Sequence, residues 1–200
     1  MKLEDLRELH YITHIDNLSS IFQYGISCHK DAKQYSHKSI ADESVQVKRE
    51  NKSVPNGKPL HSYANLYINA RNTMLFRNCR EYSCESICVL RIDKSVLFLA
   101  EVVIADGNAA SDYTKFQPSP SGIEMVDENL VFARYWTDED EIVQWEKRRV
   151  ICAEVLVPRK ISPQYIKGIY VCSEKAAQQV RQENSNTDIA VNSDLFFKDG

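Results

Sequence analysis

The run Val150-Ile151-Cys152-Ala153-Glu154-Val155-Leu156-Val157 carries a single carboxylate among apolar side chains. Read as a strand apolar on both faces, it puts Glu154 where an ionised group is costly unless it has a partner or a task. The plainer alternative is an edge strand with Glu154 turned to water or paired with a lysine. A carboxylate at the floor of a cleft can hold a hydroxyl in place. It can also stabilise positive charge developing on a neighbouring sugar carbon, an electrostatically preorganised arrangement.

Three further groupings are chemically suggestive. In LHYITHIDNLSSIFQYGI, the residues His10, Tyr11, Thr13 and Asn17 gather where a strand leads into a helix, and the free amides of such a junction suit a nucleotide-like ligand. Arg49 ends the segment VQVKR beside a loop with Lys52 and Lys58; a positive charge there also suits a helix C-terminus without any function. The stretch His61 to Arg77 interleaves aromatic rings and amides with Arg71 and Arg77. Rings with arginines fit base stacking and phosphate contact on single strands, although half of these side chains must serve the core.

Elements that would position these residues follow from pattern. Strands are predicted at 9–13, 64–69, 86–92, 101–105, 151–157 and 168–172, each bounded by polar or turn-forming residues. Asp16 or Asn17 is expected to cap a short helix that Gly25 ends. Ser39 with Asp42 opens a second helix reaching about Arg49, and helical patterns also cover 72–80 and 174–184. Residues 51–62, NKSVPNGKPLHS, read as a loop. The two phenylalanines of NSDLFFKDG suggest that the C-terminus docks onto the body. Helices do not alternate regularly with strands, so the reading is α+β with a largely antiparallel core, in one domain over 1–200.

Composition narrows the function classes. A net charge of −3 opposes indiscriminate coating of nucleic acid, which needs many phosphates neutralised, so any such site must be local. No apolar run approaches the length of a membrane span, and the acidic start MKLEDLRELH does not read as a signal peptide, so a cytoplasmic protein is expected. The six cysteines are read as reduced, buried thiols; Cys79, Cys84 and Cys88 lack the paired spacing of a zinc site, and no metal is expected.

The blocks HYITHIDNLSSIFQYGI, SIADESVQVKR, LHSYANLYINARNTMLF and CAEVLV stand in the order and approximate spacing of the DarT family. The chain resembles that family over nearly its whole length, in its shorter branch. The resemblance implies an ADP-ribosyltransferase-like fold, with a central, mostly antiparallel, split β-sheet flanked by helices. It also implies NAD as co-substrate, a base in single-stranded DNA as acceptor, and a toxin whose cognate antitoxin removes the ADP-ribose. A monomer is expected. By position, Glu154 matches the catalytic glutamate, Arg49 the arginine that assists it, and Tyr67 and Met74 residues of the NAD and base pocket. The superfamily histidine, six residues before the asparagine, falls on Tyr11, with His10 one residue earlier; His10 is preferred for the role through a local bulge. Relatives place the acceptor-selecting loop at 134–150, where Tyr135 and Trp136 would stack on bases while Arg148 and Arg149 meet phosphates. The acceptor base, thymine or guanine, is left open. The rival readings are a transferase acting on RNA or protein and a non-catalytic single-strand-binding module. Glu154→Ala is expected to leave the fold nearly intact, by relieving a desolvated charge.

Overall fold

A computed structural model describes residues 1–55, 57–183 and 187–197. Its strands are β1 (Leu9–His14), β2 (Ile26–Ser27), β3 (Tyr63–Tyr67), β4 (Ile87–Ile92), β5 (Val103–Ala105), β6 (Phe116–Pro118), β7 (Glu154–Pro158), β8 (Lys160–Ile161), β9 (Ile166–Val171) and β10 (Ile189–Val191). The helices are α1 (Leu18–Tyr24), α2 (His29–Ala32), α3 (Glu43–Glu50), α4 (Thr73–Tyr82), α5 (Glu128–Val131), α6 (Glu141–Val150) and α7 (Glu174–Glu183). Eight strands form one sheet in the order β10-β9-β4-β1-β3-β7-β5-β6, and β2 pairs with β8 apart from it. Apart from the parallel β10–β9 pair, the ladders are antiparallel.

The middle of the sheet is where the architecture becomes useful. β1 pairs with β4 along its whole length and β3 pairs with β7 along its own, yet β1 and β3 meet in register only at His10↔Tyr67. Beyond that point the two half-sheets part. The expected split sheet is therefore observed, and its opening lies between Tyr11 and Thr13 on one side and Tyr63 and Asn65 on the other. A large apolar cluster backs both halves, from Leu9 and Ile12 through Leu66 and Leu90 to Val155, Ile169 and Val180, and a smaller one gathers Leu60, Tyr63, Ala105 and Leu156.

Several boundaries differ from the expected ones. The apolar run 150–157 is not one strand: α6 takes it as far as Val150, residues 151–153 turn, and β7 begins at Glu154. The expected acceptor loop at 134–150 is thus largely α6, whose first amides, on Ile142 and Val143, donate to the Asp140 side chain. α3 starts after Asp42, which accepts from the Ser44 and Val45 amides, rather than at Ser39. Neither Asp16 nor Asn17 caps α1 with its side chain. A one-turn 3-10 helix (15–17) precedes α1 and is capped by His14 Nδ1, which accepts from the Asp16 amide. Gly25 does end α1, at φ +87° and so tight against the chain that a β-carbon would lie 2.3 Å from the Ile161 carbonyl oxygen. Residues 51–62 are a loop closed by a 3-10 turn at Leu60–Ser62, with residue 56 outside the described residues. The helix expected to reach 184 is described to Glu183; residue 184 lies outside the described residues.

Candidate active site

Glu154, the first residue of β7, pairs with Tyr67 of β3 on one side and Ala105 of β5 on the other. It is 1% exposed and lies at the floor of the cleft. Both of its carboxylate oxygens have partners, with one acceptor position left on Oε2. Arg49 Nη1 donates to both oxygens, at 3.1 and 3.0 Å, and the Ala109 amide donates to Oε1 at 2.9 Å. Arg49, at the C-terminal end of α3, is itself only 6% exposed. The reading of Arg49 as a solvated terminal charge is thereby excluded, and so is a lysine-paired or water-facing Glu154.

The Ala109 amide reaches Glu154 because the loop after β5 is tethered on several sides. The Asn108 amide donates to the Arg149 carbonyl at 2.9 Å, and Thr114 Oγ1 donates to the Asn108 carbonyl at 2.6 Å. Arg149 anchors this loop: Nη1 donates to Asp106 Oδ1 at 2.7 Å, while Nε and Nη2 grip Glu146. Gly107 admits the guanidinium, since a β-carbon there would sit 2.5 Å from Arg149 Nη1. Lys52 ties the far end through the Ser111 carbonyl and Asp112.

The cofactor-side residues divide. Tyr11, Thr13, Asn17, Tyr67 and Met74 line the cleft. Tyr67 donates its hydroxyl to Met74 Sδ at 2.9 Å, and burial, with Glu154 beside it, holds that phenol well above its ordinary pKa. Burial likewise pushes the Tyr11 hydroxyl up to about 12. Asn72 puts Met74 in place by accepting from the Met74 and Leu75 amides as the N-cap of α4. Asn17 donates to Thr13 Oγ1 and the Lys38 carbonyl and accepts from the Lys38 amide at 2.7 Å, clamping the segment that roofs the cleft. This engagement explains why Asn17 is not a helix cap. His10 does not line the cleft. Strand alternation turns its ring to the other side of β1, where Nδ1 donates to the Ile68 carbonyl at 3.2 Å and Nε2 lies 3.6 Å from Glu8. No bulge rescues it, because β1 keeps unbroken register with β4 through Leu9–His14. Of the two candidates for the superfamily histidine's place, the cleft is therefore lined by Tyr11 and not by His10, contrary to the preference for His10.

The expected nucleic-acid residues divide as well. Arg149 is 8% exposed and committed to its ion pairs, so it cannot meet phosphate without abandoning the loop. Arg71 docks the C-terminal segment: Nη1 donates to the carbonyls of Asp194, Leu195 and Phe196, and the guanidinium lies 4.0 Å from the Phe197 ring centre. That segment does pack onto the body, with Phe196 buried; residues 198–200 lie outside the described residues. Trp136 packs edge-on against Phe76 and Phe197 and is partly buried. Arg77, at the cleft, is shared between Asp42 and Glu81. Tyr135, at 70% exposure, and Arg148 remain on the surface.

Sequence reasoning missed the 106–114 loop and the histidine pair at the cleft wall. His29 and His61 stack with ring centres 4.3 Å apart and a tilt of 31°, and His61 Nε2 lies 3.1 Å from Gln46 Oε1. Burial first, then the neighbouring positive charges, lower both imidazole pKa values. The turn signal Asp106-Gly107-Asn108 marked the loop but carried no hint of what its amides would reach. Among the described residues no group of three or more His, Cys, Asp or Glu is placed to hold a metal ion.

Comparison with solved structures places this architecture. The chain superposes on Thermosipho africanus DarTG in complex with ADP-ribose with a TM-score of 0.82 at 29% identity, covering 96% of this chain and 51% of that one. It matches the fold of Thermus sp. 2.9 DarT in complex with ADP-ribosylated ssDNA with a TM-score of 0.80 at 24% identity, covering 96% and 97%. The split-sheet architecture is thus of the DarT class of fold. Within that class, the sequence model for DarT, the ssDNA thymidine ADP-ribosyltransferase, matches residues 10–197, and the chain belongs to the DarT family. A DNA ADP-ribosyl transferase-DNA ADP-ribosyl glycohydrolase fusion protein from Thermosipho africanus is 33% identical over 197 residues. The match covers 96% of this chain and 49% of the fusion protein, so this chain spans about half that relative's length.

Proposed function

We propose that this chain, as one DarT-like domain over 1–200, transfers the ADP-ribosyl group of NAD to a base of single-stranded DNA. The observation that carries the reading is the doubly bonded contact of Arg49 with Glu154 at the floor of a cleft walled by Tyr11, Thr13, Tyr67 and Met74. These residues fit a dinucleotide: hydroxyls and amides for riboses and pyrophosphate on one wall, a thioether and a phenol ring for an aromatic group on the other. Glu154 holds a ribose hydroxyl and stabilises positive charge as the nicotinamide bond loosens. Arg49 orients the carboxylate and stabilises negative charge on the base or the pyrophosphate. The Ala109 amide holds Oε1 and leaves one acceptor position on Oε2, so the carboxylate does not need to reorganise.

The family's described acceptor is thymidine, and the shorter-branch character of the LHSYANLYINARN block keeps guanine as the other base to test. Tyr135 and Arg148 are the exposed residues suited to stacking on and steering a single strand. The Thermosipho relative joins transferase and glycohydrolase in one chain, which supports a partner that removes ADP-ribose and hence a toxin–antitoxin pair acting in phage defence. A monomeric, cytoplasmic protein completes the reading; among the described residues no helix is long and apolar enough to cross a membrane.

Incubation with NAD and short oligonucleotides, read by mass, tests this. The expected product is one ADP-ribose on a thymine- or guanine-containing single strand, with nicotinamide released and little product on paired duplex. Label confined to RNA or protein would replace the acceptor, and binding without nicotinamide release would replace the enzyme by a single-strand-binding module.

A further inference from the structure

The proposed transfer needs an acceptor for the proton of the incoming base nitrogen, and the floor of the cleft does not provide one. Both Glu154 oxygens accept from Arg49 and Oε1 also accepts from the Ala109 amide, and the acceptor position left on Oε2 is the one the ribose hydroxyl takes in the proposed function. The Arg49 guanidinium offers only donors and no acceptor atom.

The cleft wall does provide one. His61 Nε2 lies 3.1 Å from Gln46 Oε1, and because an amide oxygen only accepts, that nitrogen carries the imidazole proton and Nδ1 carries the free lone pair. Gln46 precedes Arg49 by one turn of α3, so the two side chains share a helix face and the imidazole sits beside the guanidinium. The His29 ring, stacked at 4.3 Å, fixes the plane of the His61 ring. His61, His29, Gln46 and Arg49 all line the same cleft as Glu154.

We infer that His61 is the general base of the transfer, with Gln46 as the positioning residue that sets its tautomer and His29 as the one that sets its plane. This rests on the function proposed above. As the bond from the ribose carbon to the nicotinamide nitrogen breaks, its electron pair leaves with neutral nicotinamide. The acceptor nitrogen gives its proton to His61 Nδ1 and bonds to that carbon, and the imidazolium then returns the proton to water. NAD and the base N–H thereby yield the ADP-ribosylated base, nicotinamide and one proton. The surroundings of His61 keep the imidazole ready for this: burial first and then Arg49 lower its affinity for a proton, Glu50 opposes them, and Lys33 and the Gln46 hydrogen bond follow with opposite signs. It therefore stands neutral near pH 7.

The test is the pH dependence of single-strand labelling at saturating NAD. For the parent, the rate falls on the acid side as one group takes up a proton. His61→Gln lowers the rate at neutral pH by about 100-fold, the usual reach of a general base, and flattens that acid limb. Gln46→Glu puts a negative charge against Nε2–H and moves the limb about one pH unit upward without flattening it, which a merely structural contact does not do. Thermal unfolding of both variants checks folding; should His61→Gln unfold, the position of the limb in Gln46→Glu decides alone. An unmoved limb in Gln46→Glu overturns the inference, as does a folded His61→Gln that keeps the limb or loses less than about threefold in rate. Absence of any labelled strand with the parent protein overturns the proposed function instead.

Discussion

Arg49 Nη1 stands 3.1 and 3.0 Å from the two carboxylate oxygens of Glu154, and both side chains are withdrawn from water. One ion pair therefore joins the C-terminal end of α3 to the first residue of β7, two elements separated by about half the chain. It closes the floor of the cleft and makes two proposed catalytic groups depend on each other for burial.

That dependence reverses an expectation. Glu154→Ala does not relieve a buried charge, because it strands the Arg49 guanidinium; the loss of one partner from a buried pair costs about 3–5 kcal/mol. Urea unfolding is expected to show losses of that order for Glu154→Ala and smaller ones for Glu154→Gln, which keeps an oxygen for Arg49. An Arg49→Met, Glu154→Leu double variant should recover much of the stability. Unchanged stability in Glu154→Ala would show that water, not Glu154, solvates Arg49.

Arg148 and Arg149 are expected to behave oppositely. Arg149→Glu breaks the pairs with Asp106 and Glu146 and frees the loop that delivers the Ala109 amide, so it lowers the unfolding temperature and depresses nicotinamide release together with labelling. Arg148→Glu, on the exposed side of α6, weakens single-strand labelling, more so at low salt, with no change in unfolding temperature. Calorimetry beside the labelling assay separates the two.

Asn17 uses both ends of its amide on the Lys38 backbone. Asn17→Asp keeps the shape but loses the donor and faces the Lys38 carbonyl with an anion. A rise of about tenfold or more in KM for NAD is expected, comparable to Asn17→Ala, with stability less affected. Parental KM in Asn17→Asp would show that the clamp does not shape the NAD site.

What was legible in the sequence was local. The strands at 9–13 and 86–92, the Gly25 stop and the docking of the terminal phenylalanines all follow from patterning or turn chemistry, and the structure bears each out. Glu154 stood out because a carboxylate in an apolar run is physically anomalous. Local patterning did not reveal its partner, since Arg49 lies 105 residues away and nothing local distinguishes a buried arginine from a solvated one; only the family resemblance had linked the two. The same blindness affected Arg71 and Arg149, whose composition suggested phosphate contacts while their tertiary partners are backbone carbonyls and carboxylates. The choice between His10 and Tyr11 turned on one step of strand alternation, and the unbroken pairing of β1 with β4 turns Tyr11 rather than His10 towards the cleft.

Glu8 gives a pH signature remote from the cleft. Burial raises its pKa, but the His10 ring beside it and hydrogen bonds from Tyr170 and Arg91 outweigh that and hold the carboxyl at about 2, below the ordinary value of 4.5. Its contribution to stability is therefore complete above pH 4.5 and disappears as pH falls towards 2. Glu8→Gln should remove that part of the acid destabilisation, as read from unfolding temperatures across the window. An identical pH profile in the variant would assign the acid sensitivity elsewhere.

The central claim, that Glu154 drives transfer from NAD to a single-stranded base, is tested most directly by comparing the parent with Glu154→Gln on the same oligonucleotide at saturating NAD. Glu154→Gln keeps shape and a hydrogen-bond acceptor but removes the charge, so a loss of at least about 1,000-fold in labelling, near 4 kcal/mol of transition-state stabilisation, is expected from a folded variant. A folded Glu154→Gln that labels DNA within about tenfold of the parent would contradict the account.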